Sequence, residues 1–381
     1  MPGHYGGGQH SSSFSGGNSG RDTGSDYGQF DRAVSQAQNN PAPSSGGDGV
    51  NWSPSDDIDS TYTTTSFDVT PEESSAGKFM DNITSAYEKV EVPIKAFNVI
   101  TSSDPVTGIK ENIGIYVVNL CANDIAVSGN HPNFFQSVIL LPKNSDTNLL
   151  KSIVDDINYA TSKLGIEITG GHTEVTNIVD QPIVIGTAFS AVDKFVSNKN
   201  ICEGDMIIMT KTAGIEGTLI IENMLSVSTN TSKSYKKKLM SNLSIIKEAT
   251  EAFNTGYVNG MHDPTEGGIL GGIYEMSEAS NIGFKLYLNK IPVSIKTKNI
   301  CKKYDIDPLK LISSGSLLIA VNPLGVKIIC DKLNKFGIST KCVGEFSGKK
   351  KIIVNENNDF EELNYEPIDE LWKISSNEIW L

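Results

Sequence analysis

The stretch from 261 to 280, MHDPTEGGILGGIYEMSEAS, decides how this chain is read. Its second half carries Ile269, Leu270, Ile273, Met276 and Ala279 at helical spacing, and its first half is a turn rich in proline and glycine. The spacing predicts a helix that begins at the glycines. Thr265, Gly267 and Gly268 then lie at its N-terminus, where unpaired N–H groups and the helix dipole favour a bound phosphate. Asp263 stands on the same turn just before Pro264, either as a turn former or as a ligand group.

Outward from that stretch the same composition recurs. In KTAGIEGT (211 to 218), Lys211 offers a point charge, and Gly214 and Gly217 allow close backbone approach. GGHTEV (170 to 175), CANDIAVSG (121 to 129) and SSDPVTG (102 to 108) each place an acid on a turn between apolar elements. Hard cations such as Mg²⁺ take carboxylate oxygens and bring substrate phosphates with them, so Asp104, Asp124, Glu174 and Asp263 read as a divided metal and phosphate site. Each acid taken singly has a structural reading of equal weight, and their recurrence in one chain favours the chemical one. None of these segments is a P-loop, and no GxGxxG occurs. Beyond residue 77 there are three histidines, of which His172 and His262 fall inside these segments.

Helical and extended patterns alternate between them. Leu149, Leu150, Ile153, Ile157, Ala160 and Leu164 predict an amphipathic helix stopped by Gly165. Leu239, Leu243, Ile246, Ala249 and Phe253 predict a second helix, entered through Lys236, Lys237 and Lys238, and a third runs from Asn322-Pro323 to about Gly337. Apolar runs at 135 to 141, 182 to 190, 206 to 210, 284 to 288 and 316 to 321 predict strands, while 113 to 121 fits helix or strand. The alternation is that of a globular α/β protein.

Residues 1 to 77 have another composition. They hold no leucine, no lysine and one isoleucine, and glycine and serine supply 28 of the 77 positions. Such a stretch buries too little apolar surface to offset its ordering entropy, so a disordered leader is expected. Its ten acidic residues against Arg21 and Arg32 make it an acidic linker or tail. Its spaced aromatics, Tyr5, Phe14, Tyr27, Phe30 and Trp52, suit the alternative of a docking or translocation segment with a protein partner.

A length of 381 residues suits about two domains. The five cysteines are an odd number without metal-ligand spacing, which argues against a disulfide framework or structural zinc and makes a cytoplasmic location the default. A net charge of -13 disfavours nucleic acid and anionic lipid as partners, and no apolar run is long enough to span a membrane.

The order SSDPVTG, CANDIAVSGNHPNFF, GGHTEV, KTAGIEGT, HDPTEGG and SSGSLLIA resembles the PurM-like superfamily of ATP-dependent enzymes, most of all its AIR synthase-related or HypE-like branch, over about residues 97 to 372. The resemblance implies a two-domain fold: an N-terminal ATP-binding α/β domain (78–197) whose strands form a barrel with a second subunit of a homodimer, and a C-terminal α+β domain (198–372), followed by a tail (373–381). It also implies ATP and Mg²⁺ in the cleft, with transfer of the γ-phosphate to an oxygen of a small-molecule acceptor. On that reading Asp104, His172, Thr173 and Asp263 are catalytic, and Asn123, Asp124, Gly170, Gly171, Lys211, Gly214, Thr265, Gly267 and Gly268 hold the nucleotide. Asp104, Asp124, Glu174 and Asp263 direct the metal. Three features depart from the pattern. The family's GGDTK becomes GGHTE at His172 and Glu174, the C-terminal cysteine of the HypE type is replaced by a chain end reading SSNEIWL, and the Gly/Ser leader stands where a first strand and a glycine-rich loop belong. A catalytically impaired, nucleotide-binding and dimer-forming module is therefore the second reading.

Overall fold

The computed structural model describes residues 98–107, 109, 111–225, 233–355 and 357–374, all within one compact unit, Val92–Leu381. The expectations for the leader, for the missing first strand and glycine-rich loop, and for most of the tail lie outside the described residues.

The first half comprises β1 (Asn98–Val106), α1 (Ile113–Ala126), β2 (Phe134–Pro142), α2 (Thr147–Leu164), β3 (Glu167–Thr176) and β4 (Ile183–Val192). Its strands form one sheet in the order β1-β4-β2-β3, antiparallel except for the parallel β2–β3 pair. Helix α2 is the amphipathic helix read from the sequence. The Asp146 carboxylate caps its first turn by accepting from the Asn148 amide at 3.1 Å, and Gly165 ends it in the left-handed conformation. The ambiguous segment 113 to 121 is helical. Ile113, Ile115, Tyr116, Val117, Val118 and Cys121 are buried on every side of α1, so it lacks the polar face that would have marked it as a helix. It lies so close to β4 that a Cβ on Gly186 would stand 2.7 Å from Val117 and 2.8 Å from Cys121.

The second half runs β5 (Met206–Thr210), α3 (Ile215–Leu225), α4 (Lys233–Leu243), α5 (Ile246–Phe253), β6 (Val258–His262), α6 (Gly268–Ser280), β7 (Phe284–Tyr287), α7 (Ile295–Tyr304), β8 (Leu318–Val321), α8 (Val326–Lys335), β9 (Thr340–Phe346), β10 (Lys351–Val354) and β11 (Phe360–Glu362). Seven strands form a mixed sheet in the order β11-β10-β7-β9-β5-β8-β6. Strand alternation divides its central residues between two cores. Ile207, Met209, Leu318 and Ala320 pack with α6, whereas Ile208, Ile319 and Val321 join the cluster that also contains the α1 residues. One hydrophobic core therefore runs through both halves and holds the acids of the first half against those of the second.

Two expectations change. The single helix read from 239 to 253 is two helices, α4 and α5, broken at Ser244 and Ile245. Heptad-like apolar spacing survives such a break, so the pattern did not reveal it. The acid-bearing segments expected on turns are mostly regular structure: Asp104 lies in β1, Asp124 in the last turn of α1 and Glu174 in β3, while Asp263 lies in the irregular segment between β6 and α6. Strand β3 escaped notice because it is an edge strand exposed along its whole length except at Thr176, and its polar residues lack an apolar alternation.

Candidate functional site

Asp104 projects from β1 where the strand pairs with Gly186, and Asp124 from the end of α1. The Ser102 hydroxyl joins them, at 2.6 Å from an Asp124 oxygen and 3.1 Å from an Asp104 oxygen. One hydroxyl hydrogen is thus shared between two carboxyls. Burial, and next the charge of Asp104, push Asp124 up to about 7. One turn earlier on the same helix the Cys121 thiol is buried against these acids, and burial first, then the Asp104 charge, hold it well above the usual thiol range.

Asp263 approaches from the second half. It is 3% exposed, and neither carboxylate oxygen has a hydrogen-bond partner. Burial is the first cause of its strongly raised pKa, followed by the charges of Asp124 and Glu216. Glu216, in the first turn of α3, is buried as well, and burial pushes it up to about 7.

The other expected site residues fall into two groups. Asn123 and the C-terminal glycines are engaged inside the protein. The Asn123 amide donates to the Leu243 carbonyl at 2.9 Å and accepts from the Ile245 N–H at 3.0 Å, replacing the peptide hydrogen bonds lost at the α4–α5 break. It is buried and structural in these contacts, not an open ligand group. The Gly214 N–H donates to the Ser313 hydroxyl at 2.7 Å, and the Gly217 N–H to the Ile312 carbonyl. At the start of α6 the Gly267 N–H donates to the Asp369 carboxylate at 3.1 Å and the Gly268 N–H to the Thr265 carbonyl. The helix N-terminus expected to meet a phosphate is therefore capped by an acid of the chain itself. Gly268 is also needed for close packing, since a Cβ there would stand 2.6 Å from the Leu311 carbonyl. Lys211, expected as an open point charge, pairs with buried Glu248 at 2.7 Å and donates to the Ser244 carbonyl at 2.8 Å.

The second group is Gly170, Gly171, His172, Thr173 and Glu174, all exposed on β3. Strands β1 and β3 are opposite edges of the four-stranded sheet, roughly 14 Å apart at the usual strand spacing. Glu174 is thus not brought to Asp104 and Asp124, and the four-acid metal set contracts to the Asp104–Asp124 pair with Asp263 facing it. Among the described residues no three His, Cys, Asp or Glu side chains gather closely enough to cage a metal by themselves.

Sequence reading passed over several participants. Ser102, Glu216 and Ser314 lie inside segments already singled out, and their hydroxyls and carboxylate were the available signal. His262, noted only for its place in the motif, pairs with Glu275 of α6 at 2.8 Å. Glu248 and Asp369 carried no local signal, because tertiary packing alone brings them in.

Family models match both halves: that of the AIR synthase related protein N-terminal domain at residues 95–192, and that of its C-terminal domain at 203–356. A Methanocaldococcus jannaschii protein named for hydrogenase expression/formation is 30% identical over 214 residues, covering 55% of this chain and 62% of that relative's length. Carbamoyl dehydratase HypE of Escherichia coli K12 is 23% identical over 256 residues, covering 65% of this chain and 74% of that one. In three dimensions, a crystal structure of hydrogenase maturation protein HypE in complex with ATP superposes with a TM-score of 0.63 at 18% identity, over 76% of this chain and 91% of that one. With both of its domains matched in order, the chain belongs to the AIR synthase-related family, and the solved HypE shares its fold.

Proposed function

We propose that the protein is an ATP-dependent phosphotransferase or synthetase that places the γ-phosphate on an oxygen of a small acceptor. The observation that carries this reading is the Asp104–Asp124 pair. Two carboxyls share one hydroxyl hydrogen, burial first and then the charge of Asp104 raise Asp124, and in the ion pairs of the described residues no lysine or histidine joins them. Such a pair fits a hard cation, and Mg²⁺ is commonly held by one or two carboxylates together with substrate phosphates. When bound it would neutralise phosphate charge. In the protein, Ser102 orients the two acids, and buried Asp263 comes from the second half that shares their core. Relatives named as an ATP complex of HypE and as selenide, water dikinase support the nucleotide.

A homodimer accompanies this reading, supported by β3, whose two faces and outer edge are all exposed in a single chain. Five free cysteines suit a reducing cytoplasm, and no helix among the described residues is long and apolar enough to cross a membrane. The binding-module reading also has a specific support. The amides of Gly214, Gly267 and Gly268 and the ammonium of Lys211 are already engaged, which leaves the second half few donors for a phosphate. A steady-state ADP-release assay separates the two. Turnover that falls at least tenfold in both Asp104→Ala and Asp263→Ala supports the enzyme, and ATP binding without turnover supports the module.

A further inference from the structure

The break between α4 and α5 is held by side chains from outside both helices. Asn123, in the last turn of α1, donates to the Leu243 carbonyl at 2.9 Å and accepts from the Ile245 N–H at 3.0 Å. Between those two residues, the Ser244 carbonyl accepts from the Lys211 ammonium at 2.8 Å, and the same ammonium pairs with Glu248 of α5 at 2.7 Å. Asn123, Leu243, Ile245 and Glu248 are all buried, so water has no ready access to replace these contacts. Three successive residues of the break are thus tied on one side to α1 and on the other to Lys211, just after β5.

Lys211 has φ of +53°, and its own N–H is fixed by the Ser339 carbonyl at 2.9 Å. A side chain is disfavoured in that left-handed region, where glycine would sit with less strain, so the contacts of the ammonium offset the strain. At the other end of the chain of contacts, Asp124 directly follows Asn123, and the Ser102 hydroxyl holds its carboxyl at 2.6 Å. A shift of the break would carry Asn123 with it, turn the last turn of α1 and draw Asp124 away from Ser102 and Asp104. Mg²⁺ demands near-ideal ligand geometry, so a small displacement of one carboxylate lowers its affinity.

We propose that Lys211 is a positioning residue for Asp124, acting through the Ser244 carbonyl, the α4–α5 break and Asn123, so that a lysine of the second half sets how well the acids of the first half hold a divalent cation. This rests on the phosphotransfer reading above, in which Asp104 and Asp124 direct the metal. In this role Lys211 touches neither metal nor nucleotide.

Lys211→Met alone would leave buried Glu248 without its cation, which can unfold the chain, so the decisive variant is the full chain carrying Lys211→Met and Glu248→Gln together. Mn²⁺ affinity with a non-hydrolysable ATP analogue, read by water-proton relaxation, should fall at least fivefold in that double variant. It should stay near the parent's in Glu248→Gln alone, which keeps Lys211 on the Ser244 carbonyl. Native-state hydrogen exchange gives a second reading without ligand: the amides of Asn123 to Ala126 should exchange at least tenfold faster in the double variant, and those of α2 at the parent rate. A merely structural lysine would speed exchange in α2 as well and leave the Mn²⁺ affinity of the folded protein unchanged. Parental Mn²⁺ affinity, or parental exchange at Asn123 to Ala126, in the double variant overturns the proposal. A parent that takes up no Mn²⁺ with the analogue counts against the phosphotransfer reading, and exchange then decides whether Lys211 positions Asp124.

Discussion

Gly267 donates its amide hydrogen to the carboxylate of Asp369 at 3.1 Å, so the start of α6 is capped by a residue about a hundred positions further along the chain. The same carboxylate accepts from the Leu371 N–H at 2.8 Å through its other oxygen. Asp369→Ala removes both acceptors and leaves two N–H groups without them. The expected loss is on the order of 1–3 kcal/mol, read as a lower urea midpoint with an unchanged slope. A midpoint equal to the parent's would mean that water replaces the carboxylate at no cost.

Asn123 is expected to matter for folding before it matters for nucleotide. Asn123→Ala strips the Leu243 carbonyl and the Ile245 N–H of their partner inside a buried site, which costs roughly 2–4 kcal/mol at about 1–2 kcal/mol for each group. Thermal unfolding followed by circular dichroism checks this, and a melting temperature within a degree of the parent's would contradict it.

How far the fold was legible depended on contrast between faces. Helix α2 announced itself through its apolar stripe, its Asp146 cap and Gly165, and β5 through a short run of Met206 to Thr210 bounded by polar residues. Helix α1 did so only in part, since Ile113, Val117, Cys121 and Ile125 stand four apart but the buried run Tyr116 to Val118 also suits a strand, and β3 did not, since exposure on all sides left it no apolar alternation. For the site, the acids Asp104, Asp124 and Asp263 were legible as side chains able to carry charge chemistry, but which of them meet is a tertiary fact. The glycines misled for a physical reason. Gly214 and Gly267 have φ of +69° and +72°, so a glycine is demanded by the backbone whether or not a phosphate is near.

Burial of Glu216 sets a pH dependence of stability. Its folded pKa, about 7, lies above the ordinary value of 4.5, so between those values the native state holds a proton that the unfolded chain has lost. Stability therefore falls as pH rises through this window, and the penalty is complete above about pH 7. Glu216→Gln cannot ionise. It should be more stable than the parent at pH 8 by on the order of 1–3 kcal/mol and nearly equal to it at pH 5, as read by chemical denaturation at both pH values. A constant difference across pH would show that Glu216 is not buried as a carboxyl.

Gly217 serves packing between α3 and the segment before β8. A Cβ there would lie 2.4 Å and 2.5 Å from atoms of the Leu311 side chain, so Gly217→Ala should cost about 1–3 kcal/mol by overpacking. In a Leu311→Ala background the same substitution should cost much less, and a double-mutant cycle with no coupling would refute the contact.

The central claim is that Asp104 and Asp124 together bring ATP and Mg²⁺ to the junction of the two halves. A ligand that binds only the folded state raises its stability by mass action, so the most direct measurement is the melting temperature of the full chain with and without ATP·Mg²⁺. The parent should melt several degrees higher with the ligand. Asp124→Asn, which keeps the size of the side chain and removes the charge shared with Asp104, should lose most of that shift without losing its own fold. An absent shift in the parent, or the same shift in Asp124→Asn, would contradict the claim.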